Sequence, residues 1–153
     1  MVGIIRSYKF LDCESFIRSH IDHATPVLSP YEIKLIEQIE AVQRRATKML
    51  PGLKDLTYEE RLRHLKLPTL AYRRIRGDMI ETYKIIHGIY DRLVSPDLHV
   101  LDVAVTRGNK YKLKKIRCKT SIREHSFHQR IVNTWNNLPD YVVDVKSLNS
   151  FKN

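Results

Sequence analysis

The sequence has few of the residues that mark several common protein classes. Its two cysteines, Cys13 and Cys118, are too few for a disulfide framework, so we expect a nuclear or cytoplasmic rather than a secreted protein. No apolar run approaches a membrane span, and the apolar patch at residues 2–5 is too short for a signal peptide. The five glycines are scattered singly and form no phosphate-cradling loop. We therefore predict no membrane partner and no small-molecule substrate.

Acidic residues are scarce in the last third of the chain. Residues 1–106 contain 16 Lys/Arg and 14 Asp/Glu, a net charge of +2, whereas residues 107–153 contain 11 and 3, a net charge of +8. Residues 106–119 read TRGNKYKLKKIRCK and include no acid. Because like charges repel each other, such a run indicates a polyanionic partner or a structural role.

The alternation of lysine and apolar residues over residues 110–114 has the period of a half-buried strand with one basic face. A strand of that kind can follow a phosphate backbone, so we predict sequence-tolerant binding of RNA or DNA. The alternative is that the lysines protect an exposed sheet edge or are simply solvated. The candidate nucleic-acid contacts are Arg107, Lys110, Lys112, Lys114, Lys115, Arg117, Lys119, Arg123 and Arg130.

Three capping-box patterns, at residues 29–32, 57–60 and 121–124, predict helix starts. They indicate helices over about residues 30–50, 57–66 and 121–137, and apolar spacing adds a helix over 69–87 with Gly88 as its C-cap. A short helix is expected before residue 26, and residues 147–153 resemble the start of a helix that frays. Gly77, inside the 69–87 helix, suggests close packing or a kink. The predicted common core is Leu35, Ile39, Val42, Tyr72, Ile75, Met79, Tyr83, Ile131 and Trp135.

These patterns predict a mainly α-helical protein: a small helical domain with a short basic β-hairpin or extended segment. Residues 1–90 form the helical region, residues 91–105 a linker or strand, and residues 106–153 the basic segment with a C-terminal helix. We expect all three to form one compact unit.

Several residue pairs are candidates for chemistry. His20 and His23, and His125 and His128, have the i, i+3 spacing of metal ligands, but each pair lacks a fourth ligand, so we predict no metal site. Two acids three residues apart, at positions 78 and 81, could hold Mg²⁺ or act as acid and base, although helical salt bridges are the simpler use. The remaining open cases are Arg73, Arg74 and Arg76, which could meet phosphate, and Trp135, which could anchor the core or stack on a base.

Ordered blocks of the sequence are similar to one family. The chain resembles the region just C-terminal to the polymerase core in non-LTR (LINE-like, jockey-type) retrotransposon reverse transcriptases. The resemblance spans most of the chain and is clearest from residue 29 onward. It rests on LIEQIEAVQRRATK at 35–48, PGL at 51–53, YEERL at 58–62, LPTL at 67–70, RRIRGDMIETYK at 73–84, TRG at 106–108 with the lysine run, and QRIVNTWNNLP at 129–139.

The resemblance implies a thumb and post-thumb segment of an RNA-directed DNA polymerase, a parent that often also carries an endonuclease. The parent's two Mg²⁺ ions would be held by palm aspartates that this chain does not contain, so it implies neither a cofactor nor enzymatic activity for the chain alone. His23 and Leu28 stand where the family tends to have tyrosine and tryptophan. Together with a shortened stretch at residues 17–28, they imply a truncated copy, and a decayed helical remnant or protein-interaction module is the alternative.

Overall fold

The computed structural model describes residues 29–91, 93–101 and 109–153, and these residues are mainly helical, as predicted. No strand forms within them; Val100 and Leu113 make an isolated antiparallel bridge, so the basic stretch is an extended segment there rather than a hairpin. The predicted first helix lies outside the described residues. The helices are α1 (Ile33–Lys48), α2 (Tyr58–Leu65), α3 (Leu70–Ile86), α4 (Ser121–Glu124), α5 (Phe127–Asn136), α6 (Asp140–Val143) and α7 (Leu148–Lys152).

The chain divides into two compact units within helix α3. The first unit ends at Arg74 and the second begins at Ile75. The boundaries that the sequence predicted, near residues 90 and 105, both lie inside the second unit. The apolar spacing of helix α3 continues across the division, so the sequence pattern does not indicate a boundary there.

The three capping-box patterns have different outcomes. Thr57 and Glu60 form a complete box: the Glu60 N–H donates to Thr57 Oγ1, and the Thr57 N–H donates to Glu60 Oε2 at 2.9 Å. The box predicted at residues 29–32 is wrong, because Glu32 is the N-cap of α1 and no side chain caps that helix. The third pattern also lacks a side-chain cap, since Thr120 is the N-cap of α4.

Helix α1 turns a different face inward from the one that its apolar residues predicted. Gln43, Ala46 and Thr47 are its buried residues, whereas Leu35 and Val42 are exposed. The reason is a set of polar contacts: Gln43 Nε2 donates to Tyr58 Oη at 3.1 Å and to the carbonyl oxygen of Pro68 at 3.2 Å. These hydrogen bonds, which a hydrophobic pattern cannot represent, fix the rotation of the helix.

The core of the second unit contains four of the predicted core residues. Met79, Tyr83, Ile131 and Trp135 are buried in one cluster, whereas Ile75 is exposed, so its predicted burial is wrong. Tyr72, on the first unit's part of α3, is exposed as well, which is also contrary to prediction. The cluster is completed by Leu98, Leu113, Val132 and Val143.

The C-terminal residues are packed, although the sequence predicted fraying. The ring of Phe151 in α7 stacks on Tyr83 with the ring centroids 4.5 Å apart, and the Tyr83 hydroxyl donates to the carbonyl oxygen of Val145. Burial raises the pKa of the Tyr83 hydroxyl. A short helix is marginal alone, so it is this packing that holds α7 in place.

Two further details of the helices differ from prediction. The single helix expected over 121–137 is broken between α4 and α5, where the Ser126 hydroxyl donates to the carbonyl oxygen of Arg123 at 2.7 Å. Gly77 has no atom within 4 Å of where a Cβ would stand, so close packing does not explain it. Gly88, in contrast, has φ +64, the left-handed conformation expected just beyond the end of α3.

Candidate nucleic-acid interface

The basic segment, defined here as residues 109–123, is hydrogen-bonded to helix α5 through side-chain amides. The Leu113 N–H donates to Asn136 Oδ1 at 2.8 Å, and Asn136 Nδ2 donates back to the Leu113 carbonyl at 2.9 Å. Asn109, which is buried, donates through Nδ2 to the carbonyl oxygens of Trp135 and Leu138. Asn136 thus gives Leu113 the backbone partners that a neighbouring strand would otherwise supply.

The side chains of Tyr111 and Leu113 pack into the core of the second unit. Leu113 is 3% exposed and Tyr111 is half-buried, in the alternation that the sequence predicted. The alternation does not extend further, because Lys112 is half-buried while Lys114 and Lys115 are both exposed. A single basic face with period two therefore does not describe the segment.

Lys110 lies at the start of the segment, where its charge is matched by acids. Its Nζ is 2.6 Å from Asp144 Oδ1, and its backbone N–H donates to Asp140 Oδ1. The hydrogen bond to Asp144 raises the pKa of the Lys110 ammonium, and desolvation opposes this effect without cancelling it. Two of the three acids in residues 107–153 are therefore engaged at Lys110, which leaves Glu124 as the third.

Arg130 also has an internal partner. Its Nε and Nη2 donate to the two carboxylate oxygens of Asp78 at 2.8 and 2.9 Å, and both side chains are largely buried. We therefore assign this arginine a structural role and leave it out of the candidate surface. Glu81, the other member of the acidic pair, binds Lys84 at 2.7 Å, which matches the predicted helical salt bridge. The hydrogen bond from Lys84 to Glu81 raises the pKa of this lysine.

Five exposed cations of the predicted set differ from Lys110 in having no internal partner among the described residues. Within the described part of the chain, none of their side chains has an acid partner or a hydrogen-bond acceptor. Arg107 falls outside the described residues, and Lys112 makes an interaction of its own. The exposed surface, called the cationic face below, consists of Lys114, Lys115, Arg117, Lys119 and Arg123.

A groove of about 260 Å³ adjoins the cationic face. Leu98, Leu113 and Ile116 supply its apolar lining, and Lys114 and Arg123 bring two cations of the face to it. Two lining residues were not among the predicted site residues: His99, which lies in the predicted linker or strand, and Gln129, which is buried in α5. No signal in the sequence marks either residue, because the groove exists only once α5 and the basic segment meet.

The histidine pairs, which the sequence offered as candidate metal ligands, form no metal site among the described residues. The His125 ring nitrogen Nδ1 lies 2.8 Å from the carbonyl oxygen of Ser121. His20, His23 and Cys13 lie outside the described residues, and the described ones contain no group of three potential metal ligands.

Trp135 anchors the core, as one interpretation of the sequence held, because it is fully buried and its Nε1 donates to the carbonyl oxygen of Tyr111. Arg74 is buried and its Nε donates to Leu70 O, so it cannot reach a phosphate at the surface. Arg76 donates to the carbonyl oxygen of Lys152.

Comparison with known proteins gives no match: no family model fits the chain, and no curated protein or solved structure is significantly similar to it. Among the described helices, none is both long and apolar enough to cross a membrane.

Proposed function

We propose that this chain binds single-stranded RNA or DNA by its phosphates, through the cationic face and without sequence preference at the phosphate contacts. One observation carries the proposal: Arg130 is paired with the largely buried Asp78 and Lys110 is paired with Asp144 at the surface, whereas the five cations of the face are exposed with no acid partner among the described residues. Cations held in that way on an ordered segment repel one another until a polyanion neutralises them.

We further propose that the chain derives from the thumb and post-thumb region of a non-LTR retrotransposon reverse transcriptase. The support is the ordered set of sequence blocks described above. The two Mg²⁺ ions of such a parent have no matching donors here, because the sequence contains no pair of adjacent aspartates. We therefore assign no metal-dependent step to this chain.

The test is a salt titration of binding to a fluorescent single-stranded oligonucleotide, measured by anisotropy. Each lost phosphate contact to a single strand reduces the slope of log K against log salt by about 0.7. If both residues are contacts, Lys115→Ala/Lys119→Ala should flatten the slope by about 1.4. The loss should be similar for different sequences, because phosphates carry no base information.

Two control variants accompany this titration. Lys34→Ala/Lys54→Ala removes two exposed lysines outside the segment and should change the slope much less. Lys110→Ala removes a lysine whose Nζ is already paired with Asp144 and should also change it little. A soluble Lys115→Ala/Lys119→Ala protein with the affinity and slope of the wild type would overturn the proposal. Aggregation of that variant with unchanged binding would instead support a role in protecting an exposed edge.

A second candidate function is a helical protein-interaction module that does not bind nucleic acid. One observation favours it: Leu35, Val42 and Met49 are seven residues apart along and just beyond α1, and all three are exposed. Residues at that spacing lie on one helix face, as in coiled-coil association. Concentration-dependent self-association in sedimentation velocity, abolished by Leu35→Lys/Val42→Lys, together with no oligonucleotide binding at low salt, would favour this function.

A further inference from the structure

The groove beside the cationic face is lined by an amide whose nitrogen has no acceptor among the described residues. Gln129 is 8% exposed and lines the groove. Its Oε1 accepts the Ile116 N–H at 3.2 Å, and this bond fixes the orientation of the amide. Within the described residues nothing accepts a hydrogen bond from its Nε2. The Nε2 atom is accessible from the groove, so it can donate to an acceptor on a bound molecule.

The surroundings of this donor indicate which acceptor it meets. The apolar lining from Leu98 and Ile116 suits a flat, weakly polar group, and the exposed imidazoles of His99 and His128 are aromatic rings beside it. A volume of about 260 Å³ lies just below the roughly 300–1,000 Å³ of sites for drug-sized ligands, so one ring system is the appropriate size.

The charged groups that line the groove indicate which class of ligand fits it. Lys114 and Arg123 can meet phosphates on either side of an inserted group. Asp97 also lines the groove, and its carboxylate disfavours an isolated phosphate while it can accept a hydrogen bond from a base or a sugar hydroxyl. A nucleotide unit has both a phosphate for the two cations and a hydrogen-bond donor for Asp97, whereas fully ionised inorganic phosphate offers only the anion.

We propose that the groove binds one nucleobase of a single-stranded nucleic acid, with Gln129 Nε2 donating to a ring carbonyl of that base. Thymine, uracil, guanine and cytosine carry such a carbonyl, and adenine does not. The groove therefore adds a modest base preference to the sequence-tolerant contacts of the cationic face. This inference rests on the proposed function, since the phosphates bring the base to the groove.

The experiment compares binding of two oligonucleotides of about eight nucleotides, one of deoxythymidine and one of deoxyadenosine, at one salt concentration. Gln129→Glu keeps the acceptor for the Ile116 N–H but removes the Nε2 donor. We expect it to lower the thymine-to-adenine affinity ratio by about 2- to 10-fold, the effect of one hydrogen bond. Asn133→Asp adds the same charge at an exposed position of α5 and should weaken both complexes equally, leaving the ratio unchanged.

The outcomes separate the two proposals. If the wild type binds and Lys115→Ala/Lys119→Ala flattens the salt slope, but Gln129→Glu leaves the ratio unchanged, then the groove inference is wrong and the proposed function stands. If the wild type binds neither oligonucleotide, both are wrong.

A second variant covers the case in which Gln129→Glu melts below the wild type. His99→Ala/His128→Ala truncates two exposed side chains. It should weaken binding of the thymidine oligomer by about fivefold or more through lost stacking, while an abasic oligomer of equal length should bind as before. Equal losses on both oligomers would overturn the inference, because they would place the effect on phosphates.

Discussion

Asp78 and Arg130 form a two-pronged ion pair between helices α3 and α5, although they are 52 residues apart in the sequence. Both charges are largely withdrawn from water, since the Asp78 side chain is 7% and the Arg130 side chain 18% exposed. The pair therefore joins two helices of the second unit and also removes one arginine from the candidate nucleic-acid surface. Its two partners were each assigned a different possible role by the sequence analysis.

Breaking this pair should strongly destabilise the protein. Asp78→Ala leaves the Arg130 guanidinium buried without its counter-charge, and we expect a loss of about 3–5 kcal/mol in the free energy of unfolding. Urea denaturation measures this loss. Glu81→Ala, which breaks the more exposed pair with Lys84, is the matched control and should cost at most about 1 kcal/mol. Similar losses for both variants would mean that the Asp78–Arg130 pair contributes no more to the free energy of unfolding than the more exposed pair does.

Core truncations should separate the buried from the exposed apolar residues. Ile131→Ala removes a fully buried side chain and should cost about 2–5 kcal/mol. Val42→Ala and Ile75→Ala, at residues 44% and 52% exposed, should change stability by about 0.5 kcal/mol or less. Thermal unfolding of the three variants is the measurement, and a large loss for Val42→Ala would restore the helix face that the hydrophobic pattern predicted.

The capping box of α2 makes part of the stability dependent on pH. The hydrogen bonds from the Thr57 side chain and backbone lower the pKa of the Glu60 carboxyl. A group with a lowered pKa in the folded state stabilises the fold above its ordinary pKa, and this contribution is lost as the pH falls through the folded value. NMR titration of the Glu60 carboxyl should show its pKa rising towards the ordinary value in Thr57→Ala. An unchanged pKa would show that the box does not form in solution.

The purified chain should not extend a primer. Two-metal nucleotidyl transfer needs a pair of carboxylates held for Mg²⁺, and the sequence contains no pair of adjacent aspartates like that of the reverse transcriptases it resembles. The measurement is gel analysis of a primer–template incubated with the protein, deoxynucleotides and Mg²⁺, next to a reaction without protein. Lengthening of the primer above that background would show a catalytic centre that neither the sequence nor the described residues reveal.

Local patterns were sufficient for much of the fold. The positions of α2 and α3 follow from apolar spacing and from residues at the helix ends, and the Thr57 box needs only four consecutive residues. The place of the basic segment is also evident from the sequence, because its charge composition differs from that of the rest of the chain. These features could be predicted because the interactions that produce them join residues close together in the chain.

Only the tertiary structure decided which cations are available and which helix faces are buried. Arg130 is paired because Asp78 reaches it from another helix, and α1 turns Gln43 inward because Tyr58 and Pro68 offer hydrogen-bond partners. The groove at Gln129 likewise depends on where the basic segment meets α5. A charged or amide side chain has the same appearance in the sequence whether its partner is water or a distant residue, and the free energy of burial depends on that partner.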